Sequence, residues 1–358
     1  MFTTGPIPMR TSTSSTKAPI RGPGSCLGSG SAENPLDATT VPAHITALGR
    51  SQDDIVQACQ LFETVFHHPA SPAWWAWKYH QPPGGQSINL VARTSDGGDL
   101  LGHVGAVVLP GQYAGQAVRM AHLTDVMVHP KARSGLQTDG LYGRLMAAMR
   151  EQLQAVAPDA SPLYAYGFPG RTPSRLGARL KLYRPLHTCQ EYQWHETRGG
   201  WLDRLCRLQA CAEGAWPLDL IDRIWLDNAS QQEAPVVIRS GAYLQWRYAS
   251  HPQKPYTLWL VGPLMGVPVG WIITRRQPKP VVVDAMLPAP WRAAARWHRM
   301  LRELARTSGD GPWSGWFSVR GAQQEITPTM IVAVEFDAGG FHPQWSVPQF
   351  QPGDTDVF

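Results

Sequence analysis

Between Asp125 and Leu145 the chain reads Asp125-Val-Met-Val-His-Pro-Lys-Ala-Arg-Ser-Gly-Leu-Gln-Thr-Asp-Gly-Leu-Tyr-Gly-Arg-Leu145. An apolar strand ends at Pro130, a polar loop with a glycine follows, and a helix opens near Gly140. The first backbone N–H groups of a helix have no partner within it, and the helix dipole adds partial positive charge at the same end. Together they suit an anion, above all a phosphate. Gly140 lets such a group approach the backbone closely, and Arg133 and Arg144 could add charge. This strand, loop and helix are the sharpest chemical signal in the sequence.

The elements around it are legible from periodicity. Ser51 to Phe66 carries apolar residues at the i, i+3, i+4 spacing of an amphipathic helix, with Ser51 as its N-cap. Ile88–Thr94 and Leu101–Leu109 read as a hairpin turning at Asp96-Gly97-Gly98, and Val118–Val128 as a third strand. A helix is expected over Gly140–Val156, a buried strand over Leu163–Phe168 and a short helix over Ser174–Leu182. The order is mixed α/β.

The pattern repeats. Ser71-Pro-Ala-Trp-Trp-Ala-Trp-Lys-Tyr79 is matched by Ser240-Gly-Ala-Tyr-Leu-Gln-Trp-Arg-Tyr248. Two apolar strands follow each copy. Thr124-Asp-Val-Met-Val-His-Pro130 is then echoed by Val283-Asp-Ala-Met-Leu-Pro288, and a helix (Trp291–Ala305) and a strand (Trp313–Val319) close the second round. Two related domains in tandem are therefore expected: 43–190 and 236–358, the latter with a C-terminal tail, joined by a helical linker over 191–235. Residues 1–42, rich in Ser, Thr, Gly and Pro without an apolar period, read as a disordered tail.

The segment 125–145 resembles the acyl-CoA motif of the Gcn5-related N-acetyltransferase (GNAT) superfamily, a strand ending in Val-x-Pro followed by Gln/Arg-x-x-Gly-x-Gly/Ala at a helix start. Gln137-Thr-Asp-Gly140-Leu-Tyr142 fills that pattern, with Tyr142 in place of the final small residue and a loop a few residues longer than the common form. Tyr164–Pro169 and Ser174–Leu182 resemble the family's next strand and short helix. The resemblance covers residues 45–187 well and 236–320 weakly. It implies an α/β GNAT fold in two copies, the second degenerate because Met286-Leu-Pro-Ala-Pro-Trp291 leads into its helix without the loop. It also implies a pantetheine arm along Val126, Met127 and Val128, and a pyrophosphate on Gln137, Thr138, Asp139, Gly140, Leu141 and Tyr142.

For catalysis, the family's use of a carboxylate near the acyl group and a tyrosine near the thiolate singles out Asp125, Tyr166 and Tyr183. The family's own tyrosine position falls near Gly177, which has no proton to give. Asp284, at the place of Asp125 in the second copy, favours a structural role for both. The implied activity is transfer of an acyl group, acetyl by resemblance, from acetyl-CoA as co-substrate to an amine of a small molecule or amino sugar. A non-catalytic acyl-CoA-binding protein and a Fem-type aminoacyl transferase are the alternatives. The latter would not need the CoA loop.

Composition narrows the classes further. The chain has 358 residues, 43% apolar and 16% charged, enough for a sizeable core and too poor in charge for a charged disordered chain. The net charge of +5 is spread out, so no nucleic-acid partner is expected. Five cysteines without a CxxC pair give no disulfide framework and no metal site. No apolar run is long enough to span a membrane, and a cytoplasmic protein with free thiols is expected.

Overall fold

The computed structural model describes residues 43–133, 140–156, 162–194, 205–212, 214–229, 234–253, 255–276, 278–316, 319, 324–337 and 350–355. The expected disordered tail and the loop residues Gln137, Thr138 and Asp139 lie outside them.

The first copy opens with β1 (Ala43–Ala47), α1 (Gln52–Phe66) and α2 (Pro72–His80). Both helices start on a serine cap: the Ser51 and Ser71 hydroxyls accept from the backbone N–H groups of Asp54 and Trp74. Next come β2 (Gln86–Thr94), β3 (Leu100–Tyr113), β4 (Gln116–Val128), α3 (Leu141–Val156) and β5 (Leu163–Gly167). Strands β2, β3 and β4 pair antiparallel, and β4 pairs parallel with β5. A parallel pair needs a crossover, and α3 supplies it.

The expected short helix begins earlier, as α4 (Arg171–Arg179). Pro173 falls in its first turn, where a missing N–H costs nothing, and Lys181, at φ 57°, turns the chain just beyond its end. The long strand β6 (Tyr183–Trp194) follows. The stretch expected as a helical linker holds the end of β6, the strand β7 (Cys206–Ala210) and one helix, α5 (Leu218–Ala229). Strand β8 (Val236–Val237) pairs with β3.

The second copy repeats the order. Helix α6 (Gly241–Leu244) continues into a π turn over Gln245–Ala249, and β9 (Thr257–Pro263), β10 (Gly270–Arg275) and β11 (Val281–Met286) follow. Helix α7 (Ala294–Ser308) starts three residues later than expected, because Ala289–Arg292 forms a 3-10 turn across the prolines. It crosses to β12, which is only Ser314–Gly315 and pairs parallel with β11.

The described strands form one sheet, in the order β1-β2-β3-β4-β5-β13-β6-β12-β11-β10-β9-β7, with β8 attached to β3. The last strand, β13 (Gln324–Phe336), inserts between β5 and β6. The second copy's chain thus completes the first copy's sheet.

Two kinds of layer cover the sheet. Outside, α3 buries Leu141, Leu145, Met146, Met149 and Leu153 against the first copy, and α7 buries Trp297, Met300, Leu301 and Leu304 against the second. Each such side chain contributes up to about 1.5–3 kcal/mol. On the other face α1, α2, α5 and α6 share a single apolar core. The aromatic boxes read in the sequence lie there, with Trp75, Trp77, Tyr79, Trp246 and Tyr248 buried.

Candidate functional site

Strands β4 and β5 run side by side only as far as Leu123 and Gly167. Beyond that pair β4 continues to Val128, while the chain after β5 turns through Phe168-Pro169-Gly170 into α4. The strands diverge, and a cavity of about 1320 Å³ opens beside the end of β4. That exceeds the usual size of a small-ligand pocket and suits an elongated ligand.

Asp125 sits where β4 bends. The register against β3 shifts from Gly105–Thr124 to His103–Met127, leaving an extra residue on β4, a β-bulge. Asp125 has φ 49°, a left-handed conformation that costs a non-glycine residue energy, though least for Asp and Asn. Its neighbours hold it. The Lys78 ammonium donates to the Asp125 carboxylate at 2.7 Å and to the Thr124 hydroxyl at 2.9 Å, and the Tyr79 hydroxyl donates to the same carboxylate at 2.6 Å. The His103 ring donates from Nδ1 to the Asp125 carbonyl at 2.7 Å, and its Nε2 lies 3.1 Å from the Asn89 carboxamide. Burial pushes the His103 imidazole down to about 4, so the ring is neutral at pH 7. Lys78 and Asp125 are 1% and 7% exposed, which makes theirs a buried ion pair.

The cavity wall combines two chemistries. Val126 and Val128 of β4 and Gly140, Leu141 and Tyr142 at the start of α3 line it together with Arg133, Arg175 and Arg179, which add positive charge. Phe62, Val65, Phe66 and Trp74 of α1 and α2 form an aromatic and aliphatic wall elsewhere. Asp125 is the only acid among the described lining residues.

The sequence-derived candidates fall as follows. Val126, Val128, Gly140, Leu141, Tyr142, Asp125 and Tyr183 gather around the cavity. Met127 alternates away, its side chain fully buried in the core under α1 and α2. Tyr183 lies against Gly177, where a side chain would collide with its ring, and its hydroxyl is 3.2 Å from that of Tyr142. Burial and the neighbouring Tyr142 hold the Tyr183 phenol well above its ordinary value, so it stays protonated. Tyr166 does not line the cavity. It stacks between His122 (centroids 5.3 Å apart) and Phe350 (5.1 Å) in an aromatic cluster. Lys78 and Tyr79 escaped the sequence reading. The signal was present: Tyr79 and Asp125 both recur in the second copy as Tyr248 and Asp284, and that pair is joined in the same way, at 2.6 Å.

A β-bulged strand splaying from its parallel neighbour, with a helix N-terminus beside the opening, is the arrangement of the GNAT fold. Residues 50–172, from α1 into α4, match the acetyltransferase (GNAT) domain model, so the first copy is a GNAT domain. The chain as a whole has a tandem GNAT architecture. Solved structures that share its fold include the following three. A conserved protein of unknown function from Enterococcus faecalis V583, described as a probable N-acyltransferase, superposes with a TM-score of 0.59 at 14% identity, covering 82% of this chain and 72% of that one. A tandem GNAT protein from the clavulanic acid biosynthesis pathway gives 0.52 at 13% identity, covering 84% and 100%. Saccharomyces cerevisiae N-myristoyltransferase with bound myristoyl-CoA gives 0.55 at 10% identity, covering 91% and 92%. No curated protein matches the chain by sequence. Among the described residues no group of His, Cys, Asp or Glu could hold a metal, and no helix is long and apolar enough to cross a membrane.

Proposed function

We propose that the first copy transfers an acyl group, acetyl in the simplest case, from acyl-CoA to a primary amine of a small molecule or amino sugar. The observation that carries this is the cavity at the β4–β5 divergence, with the start of α3 and three arginines in its wall. The pantetheine arm lies along the backbone of Val126, Met127 and Val128, beyond the last β4–β5 pair among the described residues, Leu123–Gly167. The pyrophosphate rests on the N–H groups at the start of α3, those of Gly140, Leu141 and Tyr142, and on the preceding residues Gln137, Thr138 and Asp139. Arg133, Arg175 and Arg179 balance the phosphate charge.

The amine attacks the thioester carbonyl, and the CoA thiolate leaves. Most of the acceleration comes from holding the two reactants together, since a thioester is already activated. Tyr183, buried and protonated, is the assigned proton donor to the thiolate. Asp125 is the carboxylate beside the reacting centre. Its ties to Lys78 and Tyr79 make it first the lock of the bulge, and the amine's proton leaves through water.

The test is thiol release from acetyl-CoA and longer acyl-CoA thioesters, with and without a broad panel of amines. Amine-dependent release supports the proposal. Stoichiometric CoA binding with no turnover on any member of the panel would instead favour a non-catalytic acyl-CoA-binding protein.

A further inference from the structure

The second copy has its own divergence. The parallel pairing of β11 with β12 consists of Val281 and Ser314, and β11 then runs on to Met286. By the repeat, Asp284-Ala285-Met286 stands where Asp125-Val126-Met127 stands in the first copy. In the first copy the space beside that stretch is a cavity. In the second, the chain's own segment Phe350–Thr355 lies there.

The contacts are specific. Gln351 meets Ala285 with both ends of its carboxamide: the Ala285 N–H donates to Oε1 at 2.7 Å, shared with the Asp284 carboxylate at 2.9 Å, and Nε2 donates to the Ala285 carbonyl at 3.1 Å. This is how an added strand, or any chain bearing an amide, pairs with a strand edge. Gly353 passes so close to the Tyr248 hydroxyl that a side chain there would collide with it, and the Val283 carbonyl crowds the same space. Asp354 is buried and accepts from Arg239 at 2.6 Å, and the same guanidinium holds Asp284 at 2.9 Å. Arg247, the repeat partner of Lys78, turns from the carboxylate to the segment and donates to the carbonyls of Gly353 (3.1 Å) and Thr355 (2.7 Å). Arg239 and Arg247 are therefore engaged by the chain itself, the first by the Asp284 and Asp354 carboxylates and the second by the segment's carbonyls.

We infer that the second copy retains an amide-binding groove of the same kind as the first, and that its resident ligand is the chain's own segment Phe350–Thr355, with the Gln351 carboxamide in the place of a pantetheine amide. This rests on the acyl-CoA reading of the first copy. The second copy is then a holder. Within the seated segment, Thr355 lines the first copy's cavity and Phe350 stacks on Tyr166. The groove admits no acyl-CoA while the segment is in it.

Hydrogen exchange followed by mass spectrometry on the full chain tests this with acetyl-CoA as the probe. In the wild type, acetyl-CoA slows exchange over residues 124–128 and leaves 281–287 unchanged. Gln351→Ala speeds exchange over 281–287 by about tenfold, as expected for losing one or two ordinary hydrogen bonds, and Gly353→Val does so by displacing the segment. Gln351→Ala leaves 124–128 unchanged in the free protein. Protection of both 124–128 and 281–287 by acetyl-CoA in the wild type would overturn the inference, as would exchange over 281–287 that ignores both substitutions. Absence of protection over 124–128 alone would instead count against the acyl-CoA reading of the first copy.

Discussion

Trp77 and Trp246 donate to each other's main chain. The Trp77 indole N–H reaches the Trp246 carbonyl at 2.6 Å, and the Trp246 indole N–H reaches the Trp77 carbonyl at 2.9 Å. The rings stack with centroids 5.5 Å apart and planes at 21°. The two residues hold the same position in the two copies, so a local two-fold relation passes between them. The repeat seen in the sequence is thereby also a physical joint between α2 and the π turn after α6.

Breaking that joint should cost stability in a recognisable pattern. Trp77→Phe keeps an aromatic ring but orphans a buried carbonyl, at about 1–3 kcal/mol. Trp77→Ala adds a cavity, for about 3–5 kcal/mol in all. Trp77→Phe combined with Trp246→Phe should be non-additive by 0.5 kcal/mol or more on the scale usual for contacting residues. Urea unfolding of the single and double variants measures this, and strict additivity would mean the two bonds act independently.

The core of this arrangement was readable from residue order. β2 to β5, α1 and α3 follow from apolar period and serine caps, and the tandem architecture follows from matching Ser71–Tyr79 to Ser240–Tyr248. β6 and β13 were not readable. β6 shows no regular in–out alternation, and β13 contains Pro328 and breaks register near it. Half of the site was legible, because a helix start after an apolar strand is a local signal. The rest depends on distant partners: Lys78 lies 47 residues from Asp125, and Gln351 lies 66 from Ala285. Nothing local marks Lys78 as an interior cation, since it sits in an aromatic run.

The Lys78–Asp125 pair is a stability element before it is a catalytic one. Asp125→Asn removes a carboxylate from a buried ammonium, and losses of about 3–5 kcal/mol follow when one member of a buried pair is removed. Lys78→Met should cost a similar amount, for the mirror reason. Thermal melts alongside single-turnover acyl transfer separate the roles. A large fall in melting temperature with activity per folded molecule kept within about tenfold is expected; unchanged stability with abolished turnover would make Asp125 the base.

His103 gives the fold an acid-sensitive point. Its imidazole is fully buried, and desolvation holds it near 4 against an ordinary value of 6.5, with Lys78 adding to the shift and Asp125 opposing it. Between those values the unfolded chain binds a proton that the folded chain does not. The stabilisation is thus complete above pH 6.5 and is lost as pH falls towards 4, by about 3 kcal/mol over that span. Denaturation at a series of pH values should show this slope in the wild type and a flatter one in His103→Gln. Equal slopes would place the acid sensitivity elsewhere.

Tyr183→Phe removes the assigned proton donor while keeping the ring against Gly177. Acetyl-CoA affinity should hold within a few-fold, and turnover should fall by about a hundredfold, the lower range for losing a general acid. Tyr166→Phe, away from the cavity wall, should leave turnover nearly unchanged. The reverse ranking in a thiol-release assay would reassign the donor.

The start of α3 carries the proposed phosphate site, and Gly140→Glu tests it by calorimetric titration with acetyl-CoA. A carboxylate at the residue preceding α3 lies at the positive end of its dipole and favours that helix by about 0.3–1 kcal/mol, so this substitution sets helix stability against ligand binding. The side chain takes up space that a pyrophosphate needs next to the backbone and repels its charge. The wild type should bind one equivalent, because the second copy's groove is taken by Phe350–Thr355. The variant should keep its melting temperature and bind at least about tenfold more weakly, the effect of losing roughly 1.4 kcal/mol. Binding of acetyl-CoA to the variant as tightly as to the wild type, at unchanged stoichiometry, would contradict the placement of the pyrophosphate at the start of α3 and with it the acyltransferase site.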